Sequence, residues 1–421
     1  MLRDLTKLIN YLSEKFLKQI NILKFVIPSW ISFLIIIGLI LLFSKYELSI
    51  TLTVGAILFA LLSQVNLLNS FLAVITDPSI LLLMVAVSLI PILGGIMGES
   101  GLMLELVEKM NVSKRISIIL TPAIFGLLPV AGGALMSAPI VDQIGTNVEE
   151  RRKVAINVWY RHVVILVYPL SSALIVASVL ASISLYVIFL SMIIPFILLV
   201  ILGYFILVRS IEVSDKENER DLKIVLRNFI PVIIAPIIDF IGRTFFNFPL
   251  PEEMYLVIGL FLSIGIGLKL GNMLLGRIKP IAKEMKIWRF PLLIFGMFLF
   301  LEVFVNSGVP EDIGELNLPY ILFICLGFFL GYATGRIQLP LSILIPIYLI
   351  QYLTTAMPLL DFVFLYVAVF LGYLITPIHP CVSYSTAYFE TTYNKVIKTL
   401  AIPTFISFGV LLGIYSLTLL F

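Results

Sequence analysis

Charged side chains are scarce in this 421-residue chain: 13% of its residues are charged and 60% are hydrophobic. A soluble globular domain carries about twice that share of Asp, Glu, Lys and Arg, so the composition excludes one. The formal net charge of +3 is too small to indicate a nucleic-acid surface. We therefore expect a multi-pass integral membrane protein whose surroundings are a lipid bilayer and which binds no nucleic acid.

Cysteine and histidine are almost absent, with two residues of each. Cys325 and Cys381 stand in apolar sequence without zinc-motif spacing, and we interpret both as packing residues. The chain also lacks the His-Glu-x-x-His, Gly-x-Ser-x-Gly and Walker sequences of metalloproteases, serine hydrolases and nucleotide hydrolases. We expect no enzyme activity, no catalytic residues, no cofactor and no direct use of ATP.

Long apolar runs fill most of the chain and predict an all-α polytopic membrane protein. The predicted transmembrane helices are 27–44, 48–63, 79–98, 154–181, 183–209, 224–242, 254–269, 290–307, 359–378 and 396–420. We divide the chain into an N-terminal amphipathic arm (1–25), repeat one (26–210), a cytoplasmic linker (211–223) and repeat two (224–421). Each repeat then holds five transmembrane helices plus one re-entrant hairpin.

The two predicted hairpins, 116–144 and 319–350, are apolar segments interrupted by glycine and proline. Their breaks read PVAGGALMSAP over 129–139 and ATGRIQLP over 333–340, and each apolar half is too short to cross a bilayer. Non-helical backbone at membrane depth is tolerated only where it is buried in protein or lines a wet cavity. Matched breaks in two halves of a chain are typical of a transporter binding site.

The number of spans in each half also predicts the relation between the halves. Because five is odd, the second half starts on the opposite face of the membrane, and the repeats are inverted. Lys and Arg concentrate in the loops after the odd-numbered spans, so we expect these loops to face the cytoplasm. The basic arm over 1–25 does not fit this distribution, and its side of the membrane stays open.

The helix that follows each break offers unpaired N–H groups and a partial positive charge, which suit a carboxylate. Arg336 could hold a carboxylate through two hydrogen bonds, or form an internal ion pair with a buried acid. Arg161, early in its span, could instead extend to the membrane interface. The predicted substrate-binding residues are Gly132, Gly133, Ala134, Ser137, Ser171, Ser172, Thr334, Gly335, Arg336, Thr376 and His379.

Ion coupling has four candidate residues: Glu302, His379, Asp239 and His162. An acid inside an apolar span either pairs with a base or carries a proton, and histidine titrates near neutral pH. The alternative for each histidine is a hydrogen-bonded core residue. The coupling ion is H⁺ or Na⁺, and the residues at which Na⁺ is considered are Gly132, Gly133, Thr334 and Gly335.

Three stretches carry a family resemblance: LPVAGGALMSAP over 128–139, NVWYRH over 157–162 and TPIHPC over 376–381. They resemble the prokaryotic integral membrane family called domain of unknown function 401 (DUF401), grouped with the ion transporter superfamily of gluconate permeases and sodium-dicarboxylate symporters. The resemblance implies inverted repeats, two re-entrant hairpins, an elevator-type ion transporter fold and a scaffold that often dimerises. The tips here differ from the Ser-Asn-Thr of the dicarboxylate branch.

Together these features predict a secondary active transporter in a prokaryotic cytoplasmic membrane. We expect it to move a small organic anion, a carboxylate, with H⁺ or Na⁺ by symport through an elevator mechanism, as a homodimer through its scaffold. The alternatives are a Na⁺/H⁺ antiporter or other inorganic ion transporter, a channel, and a membrane-embedded enzyme.

Overall fold

The computed structural model describes residues 28–43, 47–110, 112–127, 133–211, 221–246, 249, 251–314 and 316–418. Within these ranges the regular structure is helical, without strands. The expected N-terminal arm, most of the linker and Gly132 of the first break lie outside the described residues. The all-α class predicted from composition is confirmed for the described part of the chain.

The first half of the chain folds into short and long helices. They are α1 (Ser29–Phe43), α2 (Leu48–Leu62), α3 (Leu67–Thr76), α4 (Pro78–Glu99), α5 (Leu102–Lys109), α6 (Lys114–Leu127), α7 (Gly133–Ile144), α8 (Glu150–Val163), α9 (Ser172–Ala181), α10 (Leu185–Ser191) and α11 (Ile193–Gly203). A 3₁₀ turn (Val164–Val167) continues α8, and a π turn (Tyr204–Val208) continues α11.

The second half repeats this alternation. Its helices are α12 (Leu222–Phe245), α13 (Glu253–Leu270), α14 (Ile278–Glu284), α15 (Arg289–Val305), α16 (Val309–Gly314), α17 (Tyr320–Thr334), α18 (Gln338–Gln351), α19 (Leu359–Ile375), α20 (Pro380–Tyr388) and α21 (Tyr393–Thr418). Aspartates start two of the long helices. Asp77 before α4 and Asp221 before α12 each accept hydrogen bonds from two N–H groups of the first turn, which the helix itself leaves unpaired.

Six helices among the described residues are long and apolar enough to cross a membrane, and eight are if each of two bent pairs is one span. The bent pairs turn by 42° between α8 and α9 and by 55° before α15. Helices α1 and α2 have 15 residues each, and at about 1.5 Å per residue each is about 22 Å long, shorter than the hydrocarbon core. The count of ten spans therefore stays a prediction.

Helices α17 and α18 form an antiparallel helical hairpin. At their outer ends, Gln351 binds the main chain of Leu318 on both sides, accepting from its N–H at 3.0 Å and donating to its carbonyl at 2.7 Å. At the inner end, Gly335 has a φ of 60° and turns the chain between the helices. This backbone conformation favours glycine, so the break predicted at this residue is confirmed.

Helices α6 and α7 form the matching hairpin of the first half. A Cβ built on Gly145, just after α7, would lie 3.4 Å from the side chain of Ile118 in the first turns of α6. The two outer ends therefore lie side by side. The turn itself falls on residues 128–132, outside the described residues.

The two halves interlock crosswise. Helix α2 packs on α15, and α4 packs on α13. The second predicted span of each half thus contacts the third predicted span of the other half. The hairpins follow the same rule, because α7 contacts α20 and α18 contacts α9. The second helix of each hairpin therefore packs against a helix of the opposite half.

Glycine sets the distance between α17 and α19. A Cβ built on Gly331 would lie 2.2 Å from the carbonyl oxygen of Val369, and one on Gly372 would lie 2.0 Å from that of Phe328. Neither distance is possible for a real Cβ atom, so the two backbones can approach this closely only with glycine at both positions.

Gly372→Ala is therefore expected to force α17 and α19 apart and to lower the stability by about 1–3 kcal/mol, the usual cost of overpacking. Thermal unfolding of the purified protein in detergent measures the change. Gly265→Ala in α13 is the matched control, because nothing lies within 4 Å of its added Cβ. Equal melting temperatures for the two variants would contradict the close packing of α17 on α19.

Candidate functional site

The chain is non-helical between α19 and α20, from Thr376 to His379. Pro377 and Pro380 lack N–H groups, which interrupts the helical hydrogen bonding. The tip of the second hairpin faces this break, since a Cβ built on Gly335 would lie 2.8 Å from Ile378 and 3.3 Å from Thr376. The second hairpin and the second proline break therefore meet.

The first proline break, from Tyr168 to Ser171, lies between the 3₁₀ end of α8 and the start of α9. Gln338, the first residue of α18, donates a hydrogen bond from Nε2 to the Ser172 hydroxyl at 3.3 Å. The Tyr366 hydroxyl of α19 approaches Ser171. The second hairpin thus contacts the second break and the helix start that follows the first break.

The two histidines, predicted separately, lie together at this junction. The ring centroids of His162 and His379 are 4.4 Å apart at an interplanar angle of 73°, and each residue is 2% exposed. His162 Nδ1 lies 2.6 Å from the Val158 carbonyl oxygen, so that nitrogen carries the proton. His379 Nε2 lies 2.9 Å from the Tyr373 hydroxyl, and its Nδ1 has no hydrogen-bond partner among the described residues.

Arg161 is buried beside the first hairpin instead of extending to the membrane interface. It is 6% exposed, and its carbonyl oxygen would lie 2.0 Å from a Cβ on Gly126 in the last turn of α6. Its Nη1 is buried without a hydrogen-bond partner in the described part of the chain. Arg161 is therefore a cation held in the protein interior with donor capacity left over.

Arg336 brings a second cation from the tip of the second hairpin. The residue is half-buried, and its main-chain N–H donates to the Thr334 hydroxyl at 3.3 Å. The guanidinium groups of Arg336 and Arg161 both interact electrostatically with His379. Among the described residues, neither arginine forms an ion pair with an acid.

A buried polar network ties the first hairpin to α8 and α20. Ser137 of α7 donates to Asn157 Oδ1 at 2.6 Å, and Asn157 Nδ2 donates to the Ser385 hydroxyl at 2.9 Å and to the Ala134 carbonyl at 3.1 Å. The three polar side chains are fully buried. Asn157 lies one helical turn before Arg161, so the network and the arginine share a face of α8.

The two acids predicted as coupling residues contact other parts of the protein. Asp239 is fully buried and accepts from Arg243 Nε at 2.9 Å and from the Tyr186 hydroxyl at 2.8 Å. Glu302 accepts from Asn306 Nδ2 at 3.4 Å, near the end of α15. Neither acid contacts the central residues within the described structure. The partners of Asp239 indicate an internal ion pair.

Asp239→Asn is expected to destabilise the protein by about 1–3 kcal/mol, because it leaves Arg243 with less compensation for its buried charge. The loss stays below that of an isolated buried pair, since Arg243 also binds Glu252 at 2.8 Å. Unfolding in detergent measures it, and the double variant Asp239→Leu/Arg243→Leu should recover part of the loss. A stable Asp239→Asn protein that has lost ion coupling would instead support the coupling role.

The structure brings together some of the residues predicted from the sequence, and their role in binding stays a prediction. The structure joins Gly335, Thr376 and His379 with His162, and it places Ser171 and Ser172 against elements of the second half. The residues that sequence reasoning missed are Asn157, Tyr373, Ser385 and Cys381. Asn157 could have been found from the sequence, because it stands four residues before Arg161 and so lies on the same face of the predicted helix.

Comparison with known proteins gives a family for this chain and a solved structure with a similar fold. A family model described as "Protein of unknown function (DUF401)" matches residues 27–418. The chain belongs to the DUF401 family. The YdaH transporter of Alcanivorax borkumensis, a crystal structure whose description notes an unusual topology, is similar to it with a TM-score of 0.58 at 14% identity. That similarity covers 84% of this chain and 87% of the other.

No curated protein matches the sequence. The identity to YdaH is low enough that the likeness shows the fold alone. The DUF401 chain is thus a multi-pass integral membrane protein with the fold of a transporter structure.

Proposed function

We propose that this DUF401 chain is a secondary active transporter that moves a small organic anion, a carboxylate, coupled to H⁺ or Na⁺. The observation that carries the proposal is a pair of arginines, Arg161 on α8 and Arg336 at the tip of the second hairpin, which no described acid neutralises. Arg161 is buried with an unpartnered Nη1. Both Arg161 and Arg336 interact electrostatically with His379.

The energetic argument starts from the cost of a buried arginine. A guanidinium group at membrane depth costs at least about 2.5–3.5 kcal/mol unless something offsets it. Internal ion pairs provide that offset elsewhere in this protein, as Arg243 does with Asp239 at 2.9 Å. At the central site the remaining partner is an anion from outside the chain. A carboxylate fits because it accepts two parallel hydrogen bonds from one guanidinium group.

Neutral donors could complete the anion site. The Thr376 hydroxyl and His379 Nδ1 are buried without a hydrogen-bond partner in the described structure. His379 Nδ1 is a donor in the tautomer in which Nε2 accepts a hydrogen bond from the Tyr373 hydroxyl. The helices that follow the breaks, which begin at Gly133 and Gln338, add first-turn N–H groups that a helix leaves without an internal partner.

The architecture that we propose has two inverted repeats, each with five transmembrane helices and one re-entrant hairpin. The crosswise packing of α2 on α15 and of α4 on α13 supports it, because a pseudo-twofold axis in the membrane plane generates reciprocal contacts. The two antiparallel hairpins support it further, since each enters and leaves at one end.

We assign the moving unit to the hairpins with α8–α11 and α19–α21, which contact one another. The scaffold is then α1–α4 with α12–α15, and it would carry the homodimer contact. Sliding of the first unit against the second would expose the anion site to each side in turn, as in an elevator mechanism. The Lys- and Arg-rich loops support a cytoplasmic position for the odd-numbered connections, in the cytoplasmic membrane of a prokaryotic cell.

Proton coupling through the histidine pair is the first form of coupling that we propose. His162 and His379 are stacked edge to face, and Tyr373 extends the chain of hydrogen-bonding groups. The alternative coupling ion is Na⁺ near Gly133, Thr334 and Gly335, where main-chain carbonyls end the helix before the tip.

Purified protein in liposomes tests the proposal. Uptake of labelled gluconate, lactate, succinate and citrate is measured under an inward pH gradient, an inward sodium gradient and neither. We expect uptake of at least one anion above empty liposomes, raised by one of the gradients. Folded protein that moves none of a broad anion panel would contradict the proposal, and sodium-driven proton movement without any anion would identify an antiporter.

A further inference from the structure

The central site contains three potential metal ligands. One ligand atom from each of His162, His379 and Cys381 lies within 4.8 Å of the other two. His162 comes from α8, and the other two come from the break before α20 and its first turn, so the two halves of the chain meet here. The histidines are 2% exposed and Cys381 is half-buried.

We infer that His162, His379 and Cys381 form a binding site for one Cu⁺ ion. Thiolate and imidazole are ligands that this soft cation prefers. With metal–ligand bonds of about 2.0–2.3 Å, three ligands in a plane stand about 3.5–4 Å apart. The side chains therefore need to close by a distance on the order of 1 Å, which small rotations of the imidazole rings and the thiol provide.

The second nitrogen of each histidine is already engaged by the protein. His162 Nδ1 donates to the Val158 carbonyl at 2.6 Å, which leaves the Nε2 lone pair free. In the tautomer opposite to the one that donates to an anion, His379 Nε2 donates to the Tyr373 oxygen 2.9 Å away, which frees the lone pair of the unpartnered Nδ1. This nitrogen therefore binds either Cu⁺ or the transported anion at one time. Metal-binding histidines characteristically give their other N–H to a carbonyl or a similar acceptor, and both histidines here have such a partner.

The charges around the site decide between soft cations. Arg161 and Arg336 both interact electrostatically with His379, and they repel a divalent ion. One Cu⁺, one thiolate and two neutral imidazoles form a site without net charge, whereas Zn²⁺ would leave a positive charge beside two guanidinium groups. Cu⁺ therefore fits better than Zn²⁺.

Binding of Cu⁺ to the purified protein under reducing conditions, in competition with a chromophoric Cu⁺ chelator, tests the inference independently of transport. The reference is Cys325→Ser, which removes the exposed cysteine outside the cluster and leaves Cys381 as the single thiol. We expect one Cu⁺ per chain, and X-ray absorption with one sulfur and two imidazole nitrogen ligands. Adding His379→Gln or His162→Gln should weaken binding at least tenfold, and adding Cys381→Ser at least a hundredfold.

The histidine variants separate a built site from a lone reactive thiol. If both retain the affinity of Cys325→Ser, or if the absorption spectrum shows sulfur alone, the site does not exist. Equal displacement of Cu⁺ by stoichiometric Zn²⁺ would overturn the charge argument. Size-exclusion profiles that match the reference establish that each variant is folded, and testing two histidines keeps the comparison decisive if one variant is lost.

Discussion

Replacement of Arg161 by glutamine is expected to abolish carboxylate uptake while leaving the protein at least as stable. A desolvated charge pair contributes about 2–5 kcal/mol when one partner is truncated, so the apparent affinity should fall at least about thirtyfold. Stability should not fall, because the variant removes a buried cation that no described acid compensates. Uptake in liposomes and thermal unfolding in detergent measure the two effects.

The control for this result is Arg277→Gln. Arg277 is also an arginine, but its side chain is 54% exposed and pairs with Glu99 at the protein surface. Surface pairs contribute little, so uptake and melting temperature should both stay close to those of the unmodified protein. If Arg161→Gln transports with an unchanged KM, the anion does not bind to this arginine. A large drop in its melting temperature would mean that Arg161 has an internal partner.

Replacement of His379 by glutamine is expected to remove the response to a pH gradient. Glutamine can keep a hydrogen bond to Tyr373, but it cannot carry a proton at physiological pH. Uptake driven by an inward proton gradient should fall at least about tenfold, the lower range for losing a positioned proton-transfer group. Exchange of internal for external anion needs no net proton movement, so it should persist.

Measuring both modes in the same liposomes provides the control, because a misfolded variant loses exchange as well. Full proton-driven uptake by His379→Gln would exclude this histidine as the proton carrier. If neither the unmodified protein nor His379→Gln responds to a pH gradient, and both take up anion under a sodium gradient, the coupling ion is Na⁺ at the hairpin tips.

Local sequence signals located most elements of this fold. The predicted second hairpin, 319–350, differs by one residue at each end from the span of α17 and α18, Tyr320 to Gln351. Glycine with a positive φ and proline without an N–H group disturb a helix wherever they stand, so their effects can be read from the chain alone. The short helix α3 was missed because it lies between two longer apolar runs.

Most contacts of the candidate residues depend on tertiary packing and were beyond sequence reasoning, with one local exception. Asp239 was considered as a coupling residue, but its Arg243 partner stands four residues later and was a readable helical pair. Arg161 could equally have extended to the membrane interface, and only the packing of α6 on its carbonyl places it inside. Cys381 was interpreted as packing, since its histidine neighbour on α8 is remote in sequence.

The sequence by itself determined that the protein lies in a lipid bilayer, that it is helical, and where its helices break. Those properties follow from composition, hydrophobic length and the covalent chemistry of glycine and proline, each of which acts within a few residues. Only the tertiary structure decided which breaks face each other, and that Arg161, His162 and His379 lie together. Such neighbours depend on how helices from two distant halves pack, and no local pattern in a single chain encodes that choice.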